Sequence, residues 1–160
     1  MRSPRVLLAA AATAALLAAP RAQARTPQRA HQTTSSATHL ELGVGADYIV
    51  DPELGELNLT IGIDRHLTRG LSAGLRLGAL VTGSPTKFGA PIDAYLRYRT
   101  HGVYFQGLVG PWLLFASGDT VRFHGGVGLG FYLGGGVSAG LEVGFLDHSG
   151  IGGLRVAFAL

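Results

Sequence analysis

The sequence predicts an all-β fold in which eight antiparallel strands close into an up-and-down barrel. Apolar residues recur at every second position from Leu40 to Leu160, and this period of two is that of a β-strand. Turn-forming residues interrupt the pattern and leave eight segments of about ten residues each. No segment after residue 24 shows the helical period of 3.6 residues.

The first four strands are separated by polar or glycine-rich turns. Their apolar residues fall within 40–50, 57–63, 71–81 and 92–98. Residues 51–55 include Asp, Pro and Gly, which favour tight turns, and residues 83–90 form the longest interruption. The register between the second and third strands is open to a shift of two residues, so we expect either Glu56 or Asn58 opposite Arg76.

The last four strands repeat this scheme. Their apolar residues fall within 103–115, 121–133, 137–145 and 154–160. Pro111 has no amide hydrogen to donate, which predicts a bulge or a local break in the fifth strand. Three consecutive glycines, 134–136, predict a tight turn. Short strands joined by turns at regular spacing indicate a β-sandwich or a β-barrel.

Two segments precede the predicted barrel, which comprises residues 39–160. Basic residues Arg2 and Arg5, an apolar stretch and Ala22-Gln23-Ala24 together form the pattern of a secretory signal peptide, residues 1–24. Its apolar stretch is shorter than the roughly 20 residues that a membrane-spanning helix needs. Residues 25–38 are polar without periodicity, which predicts a flexible leader.

Composition excludes several classes of function. Residues 1–24 contain three arginines and no acid, so the remaining chain has ten basic and ten acidic residues. This balance gives no basic patch for nucleic acid, and we expect no nucleic-acid partner. The chain has no cysteine, which excludes disulfides, cysteine metal sites and a lipid-bearing cysteine. The histidines do not have the spacing of metal ligands, and the glycines do not form a phosphate-binding loop. We therefore expect no metal and no cofactor.

Alternation alone does not separate a membrane barrel from a soluble, lipocalin-like periplasmic barrel. The polar face of the strands, however, is poor in the residues that are typical of a water-exposed surface. The single lysine of the chain, Lys87, falls in a predicted loop. Aromatic residues of the apolar face concentrate at both strand ends, as membrane interfaces require. The sequence therefore favours the bacterial outer membrane. If both termini are periplasmic, the predicted girdles are Tyr48, Phe115, Phe123 and Phe145 at the outer end, and Tyr98, Phe105, Phe131 and Phe158 at the periplasmic end.

From Leu40 to Leu160 the chain resembles the small eight-stranded outer-membrane proteins of the OmpA and OmpX type. The resemblance is one of architecture. It implies a monomer that contacts outer-membrane lipid and lipopolysaccharide and is folded by the barrel-assembly machinery. The last strand resembles the assembly signal of such proteins, with Leu160 in place of the usual terminal aromatic residue. The residues of this signal are Leu154, Val156, Phe158 and Leu160.

The inward face predicts a polar lumen plugged by ion pairs. An eight-stranded barrel is just wide enough for side chains to fill it, and an unpaired buried charge is costly. We therefore expect a structural or interaction role in the envelope, with a small gated pore as the alternative. The predicted charge network comprises Glu41, Asp47, Glu56, Arg76, Asp93, Arg97, Arg122, Glu142 and Arg155.

Asp147, His148 and Ser149 suggest a second alternative, an enzyme that modifies lipid A. Outer-membrane lipid A deacylases carry a His-x-Ser pair, which places both side chains on one face of a strand. Here His148 and Ser149 are adjacent, so on a regular strand they point to opposite faces. A nucleophile and its base must lie within hydrogen-bond reach, and we therefore expect no catalytic residues.

Overall fold

The computed structural model describes residues 38–51, 53–83, 86–115 and 120–160. The predicted signal peptide and leader lie outside this part of the chain, apart from Thr38, which begins the first strand. The described residues form eight strands: β1 (Thr38–Ile49), β2 (Leu54–Thr68), β3 (Leu71–Thr82), β4 (Phe88–Thr100), β5 (Val103–Phe115), β6 (Thr120–Gly134), β7 (Val137–Leu146) and β8 (Ser149–Ala159).

The strands form one closed antiparallel sheet in which each strand pairs with its neighbours in sequence. β8 pairs with β1 from Glu41–Ala159 to Ile49–Ile151, and the Leu160 amide donates to the Leu40 carbonyl at 2.9 Å. Closure leaves no strand edge unpaired. The prediction of an eight-stranded up-and-down barrel is therefore confirmed.

An even number of strands places the start of β1 and the end of β8 at the same end of the barrel, which we call the terminal end. This end also carries the turns at 69–70, 101–102 and 135–136, and the opposite, far end carries the other four connections. Gly70 and Gly102 have φ angles of 84° and 86°, which glycine adopts without strain. At the far end β4 already begins at Phe88, so the predicted loop at 83–90 is shorter than expected.

The register of β2 and β3 differs from the prediction. Arg76 lies opposite Gly62, while Glu56 lies opposite Thr82 and Asn58 opposite Leu80. β2 continues to Thr68, through residues in which the sequence suggested a polar turn. The hairpin consequently closes in two residues and carries Arg76 away from both predicted partners.

The ladder between β4 and β5 is interrupted, as Pro111 predicts. Residues pair at Pro91–Trp112 and again at Ala94–Val109, with the same register on both sides of the gap. A Cβ atom on Gly110 would lie 2.9 Å from the Cα of Asp93, so the backbones approach at a distance that only glycine permits. The result is a local break without a bulge.

The two faces of the sheet have opposite chemistry. Outward side chains such as Ile61 and Leu77 are each 54% exposed, whereas inward Asp47 and Asp93 are only 2% and 1% exposed. This reverses the usual distribution of apolar and charged residues in a water-soluble domain. No helix among the described residues is long and apolar enough to cross a membrane.

Candidate functional site

Apolar side chains pack against one another at the far end of the lumen, in a cluster that we call the apolar cap. Its residues point inward from the ends of five strands and are almost completely buried. The sequence predicted a polar lumen closed by ion pairs, and this cluster was not predicted. Its signal is that the inward positions become apolar near the far end of the strands. The cap consists of Ile49, Leu80, Trp112, Leu146 and Ile151, with Leu54 and Leu114 packed against it.

Two arginines and three carboxylates form the centre of the lumen. Arg76 on β3 lies 2.7 Å from Glu142 on β7 and 3.0 Å from Asp93 on β4. Arg155 on β8 lies 3.0 Å from Glu142 and 2.9 Å from Asp47 on β1. All five are buried. Glu142 thus bridges the two guanidinium groups, and we call the set the central network.

Asp93 has two further partners in the lumen. His124 Nδ1 lies 2.8 Å from Asp93 Oδ1, and Trp112 Nε1 donates to the same oxygen at 3.3 Å. A carboxylate oxygen only accepts, so Nδ1 of His124 carries the hydrogen. The rings of Trp112 and His124 are 4.5 Å apart between centroids. Trp112 therefore joins the apolar cap to the central network.

Two amide side chains complete the central network. Asn58 donates to Asp47 at 2.5 Å and accepts from Arg155 at 2.8 Å. Gln106 donates to Glu142 at 2.6 Å. Buried polar groups are stable only when their hydrogen bonds are satisfied, and the amides supply bonds that the ion pairs leave open. Neither amide was among the predicted site residues.

A second set of contacts lies nearer the terminal end. Arg97 binds Glu41 through two bonds of 2.6 and 2.8 Å and donates to Gln106 at 3.0 Å. Its guanidinium lies 4.9 Å from the ring centroids of both Tyr95 and Tyr104. A bidentate arginine–carboxylate pair is a strong charge-assisted contact, and the two rings surround it.

Asp64 and Arg99 extend this second set, although neither was among the residues predicted from the sequence. Arg99 Nη2 donates to Asp64 Oδ2 at 2.5 Å, and the Tyr95 hydroxyl donates to the same oxygen at 3.3 Å. Both residues follow the inward alternation of β2 and β4, so the period of two contained their signal.

Seven of the nine predicted network residues take part in these contacts, and Glu56 and Arg122 do not. Glu56 is 2% exposed, and neither of its carboxylate oxygens accepts a hydrogen bond from a described residue. Arg122 is half-buried, lies opposite Trp112 and has its nearest carboxylate, Asp147, at 3.8 Å. Alternation placed both residues correctly on the inward face. Arg122 lies near the far end, whereas Glu56 lies directly opposite Asp47, whose carboxylate pairs with Arg155.

Acidic and basic groups on the inward face nearly balance among the described residues, with six carboxyl groups and five guanidinium groups. The carboxyl groups are those of Glu41, Asp47, Glu56, Asp64, Asp93 and Glu142, and the guanidinium groups are those of Arg76, Arg97, Arg99, Arg122 and Arg155.

Little space remains around the central network. A cavity of about 10 Å³ lies between Asp47, His124, Glu142 and Arg155. Such a volume holds about one water molecule. Within the described residues, no group of three or more His, Cys, Asp or Glu side chains is arranged to hold a metal ion.

Glycines on the inward face make room for large side chains. A Cβ atom on Gly140 would lie 2.5 Å from the Tyr104 hydroxyl, and one on Gly74 would lie 2.6 Å from Cζ of Tyr95. Both tyrosines are buried. The glycine-rich second half of the chain therefore serves packing inside a narrow barrel.

Asp147, His148 and Ser149 have separate surroundings. Asp147 accepts a hydrogen bond from the Phe123 amide at 2.7 Å, and the Ser149 hydroxyl donates to the Asp51 carbonyl. His148 is exposed in the turn between β7 and β8. In the described part of the chain, no hydrogen bond joins these three side chains, so the geometry offers no nucleophile activated by a base.

The predicted aromatic residues all lie on the outward face. Seven of the eight are 45–57% exposed, and Phe158 is half-buried. Leu154, Val156 and Phe158 share the outward face of β8, which pairs with both β7 and β1.

No protein-family model and no curated protein matches the sequence. Solved structures do match the fold. Neisserial surface protein A has a TM-score of 0.53 at 10% identity, over 77% of this chain and 94% of that one. The Yersinia pestis outer membrane protein Ail has a TM-score of 0.51 at 15% identity, over 78% and 100%.

The N-terminal β-barrel domain of Pseudomonas aeruginosa OprF has a TM-score of 0.50 at 15% identity, and the match covers 79% of this chain and all of that domain. These identities are low, so the matches concern the fold. The chain has the fold of the small eight-stranded outer-membrane β-barrels, as the resemblance in its sequence implied.

Proposed function

We propose that this chain is an integral protein of the bacterial outer membrane, with a closed lumen and a structural or interaction role in the envelope. The observation that carries the proposal is the reversed polarity of the sheet. Outward residues such as Val127 and Leu141 are 61% and 57% exposed, while the charged groups of the central network are buried. In water this outward surface would promote association, whereas in a bilayer it contacts acyl chains.

The aromatic residues support membrane placement. Tyr48 and Phe145 lie near the far end of the outward face, and Tyr98 and Phe131 lie near the terminal end. Aromatic rings favour the two interfaces of a bilayer. With the terminal end in the periplasm, the far end faces outward among lipopolysaccharide. The signal peptide would export the chain, and the last strand would engage the barrel-assembly machinery, giving a monomer.

The lumen supports a non-conducting barrel. Arg76 and Glu142 project from β3 and β7 and meet across the interior, so the central network occupies the path that an ion would follow. The apolar cap adds a layer of closely packed apolar side chains, in which Trp112 and Leu146 are each 1% exposed. An ion would have to displace both, which disfavours the gated pore. We assign no catalytic role, since Asp147, His148 and Ser149 engage no common site.

Fractionation and gel mobility test the membrane assignment. Cells expressing the full chain are separated into soluble and outer-membrane fractions, and each sample is run with and without boiling. We expect the protein in the outer-membrane fraction, with a mobility that changes on boiling because a closed sheet resists detergent. A soluble periplasmic protein whose mobility does not depend on boiling would contradict the proposal.

Planar-bilayer recording tests the closed lumen. We expect negligible conductance from the purified chain. A Trp112→Ala/Leu146→Ala variant removes two large side chains of the apolar cap. We expect this variant to have a higher conductance than the unmodified chain. Large, stable channels from the unmodified chain would contradict a closed lumen while leaving the membrane assignment intact.

A further inference from the structure

Arg65 is the one charged side chain on the outward face of the described strands. It lies near the terminal end of β2, between outward-facing Ile63 and Leu67, both of which are exposed apolar residues. Its cross-strand neighbours are Thr38 on β1 and Ala73 on β3. A charge on the lipid-facing side of a barrel is unfavourable unless it lies near an interface. Its presence on an otherwise uncharged surface therefore indicates a polar partner.

That partner is not supplied by the described residues. No carboxylate lies within ion-pair distance of Arg65 there, and the nearby acids are engaged inside the lumen. Asp64 binds Arg99, and Glu41 binds Arg97. Arg65 itself is exposed. The side chain is thus free to extend along the barrel wall toward the headgroup region, as long basic side chains do at membrane surfaces.

The turn after β2 places a second arginine at the same edge. Arg69 is exposed and precedes Gly70, whose carbonyl accepts a hydrogen bond from the Arg99 amide at 2.7 Å. A Cβ atom on Gly70 would lie 3.2 Å from the ring of Tyr98, so the turn packs closely against this outward-facing tyrosine. Arg65 and Tyr98 lie on either side of β3, opposite Ala73 and Leu71, and therefore share one sector of the terminal end.

The two ends of the barrel also differ in charge. At the far end Asp51, Glu53 and Asp147 are exposed, and Lys87 and Arg122 are half-buried. At the terminal end, the exposed charged side chains among the described residues are Arg65 and Arg69. An anionic partner is therefore favoured more at the terminal end than at the far end.

We propose that Arg65, in the same sector of the barrel wall as Tyr98, binds the phosphodiester headgroup of an anionic phospholipid in the leaflet at the terminal end. The guanidinium fork matches the geometry of phosphate oxygens, and tyrosine combines an apolar ring with a hydroxyl at the interface. The acyl chains of the same lipid would cover Ile63 and Leu67. This inference rests on the membrane placement proposed above.

Native mass spectrometry of the full chain, released from nanodiscs with equal amounts of phosphatidylglycerol and phosphatidylcholine, tests the proposal. We expect the unmodified chain to retain phosphatidylglycerol preferentially. Arg65→Gln should reduce that preference about fivefold, the factor expected for one arginine at an anionic surface. Arg65→Lys should keep part of it. Arg122→Gln is the matched control, since it removes one arginine from the inward face at the far end.

Each other outcome has a defined meaning. If Arg65→Gln retains phosphatidylglycerol as well as the unmodified chain does, the proposed site is wrong. If Arg122→Gln loses the preference to the same extent as Arg65→Gln, the preference reflects net charge and the site is also wrong. Displacement of the lipid by inorganic phosphate at matched concentration would indicate a site for the free anion and overturn headgroup recognition. Insertion is measured separately by gel mobility in the unmodified chain and in each variant. Failure of the unmodified chain to insert would contradict the membrane assignment instead.

Discussion

Replacing Arg76 with methionine tests how strongly the central network holds the barrel together. The Arg76 guanidinium donates to Asp93 at 3.0 and 3.3 Å and to Glu142 at 2.7 and 3.2 Å. Methionine preserves much of the length of the side chain and removes all four bonds. Asp93 and Glu142 would then lose a shared cation while their carboxylates stay buried.

The expected loss of unfolding free energy is about 3 kcal/mol. Removing one member of a buried ion pair costs about 3–5 kcal/mol, because the remaining charge is left uncompensated. The lower end of this range applies here, since Asp93 keeps His124 and Glu142 keeps Arg155. Arg122→Met is the matched control. Its side chain is partly exposed and 3.8 Å from Asp147, so we expect a loss below about 1 kcal/mol.

Trp112 provides the assay. It is the only tryptophan in the chain, is 1% exposed and donates to Asp93, so its fluorescence reports the interior of the lumen. Denaturant titrations in lipid vesicles give the unfolding free energy of each variant. Equal stability of Arg76→Met and Arg122→Met would refute the reasoning. Adding Asp93→Asn to Arg76→Met should recover part of the loss, because Asp93 has lost its guanidinium partner and the double variant no longer buries that carboxylate.

Three further substitutions test other features of the barrel. Glu56→Met replaces a buried carboxyl group, which accepts no hydrogen bond from a described residue, with an apolar side chain of similar length and should stabilise the chain by about 1–3 kcal/mol in the same titration; destabilisation would show that Glu56 is paired. Leu77→Arg places a charge on the outward face and should cost about 2–4 kcal/mol in vesicles, whereas an unchanged value would argue against lipid contact there. Gly140→Ala places Cβ 2.8 Å from the Leu129 carbonyl oxygen and should cost about 1–3 kcal/mol, seen as a smaller folded band on unboiled gels; a full band would show that the strands can separate without cost.

The period of two was sufficient to predict the strands and their faces. Asp93 and Arg97 point inward because they alternate with apolar residues on β4, and this alternation is a local property of an extended chain. Closure followed from the even number of strands and the need to pair every edge. The inward direction of seven network residues was therefore readable before any contact between them was known.

Partnerships across the lumen were not predictable in the same way. Arg76 and Glu142 are 66 residues apart and lie on strands that do not pair. Whether two inward residues meet depends on their height along the barrel axis, which is set by the register of every intervening strand pair. The hairpin of β2 and β3 shows the effect, since its two-residue turn moved Arg76 opposite Gly62. Arg122 lies on the predicted face but nearer the far end than the central network, opposite Trp112. Glu56 lies directly opposite Asp47, and Asp47 forms the ion pair with Arg155 in its place.

The apolar cap and the central network strengthen one another. Trp112 lies in the cap and donates to Asp93 in the network, so the water-excluding layer is in direct contact with the ion pairs. Excluding water lowers the local dielectric constant, which strengthens each ion pair and raises the cost of leaving one charge alone. The cost of losing Arg76 and the resistance to ion passage should therefore have a common origin.

Variants that remove bulk from the apolar cap should accordingly weaken the effect of Arg76→Met, because water that reaches the central network would solvate the carboxylates of Asp93 and Glu142. An Arg76→Met effect that is undiminished in the Trp112→Ala/Leu146→Ala background would separate the two and show that the cap contributes nothing to the electrostatics of the lumen.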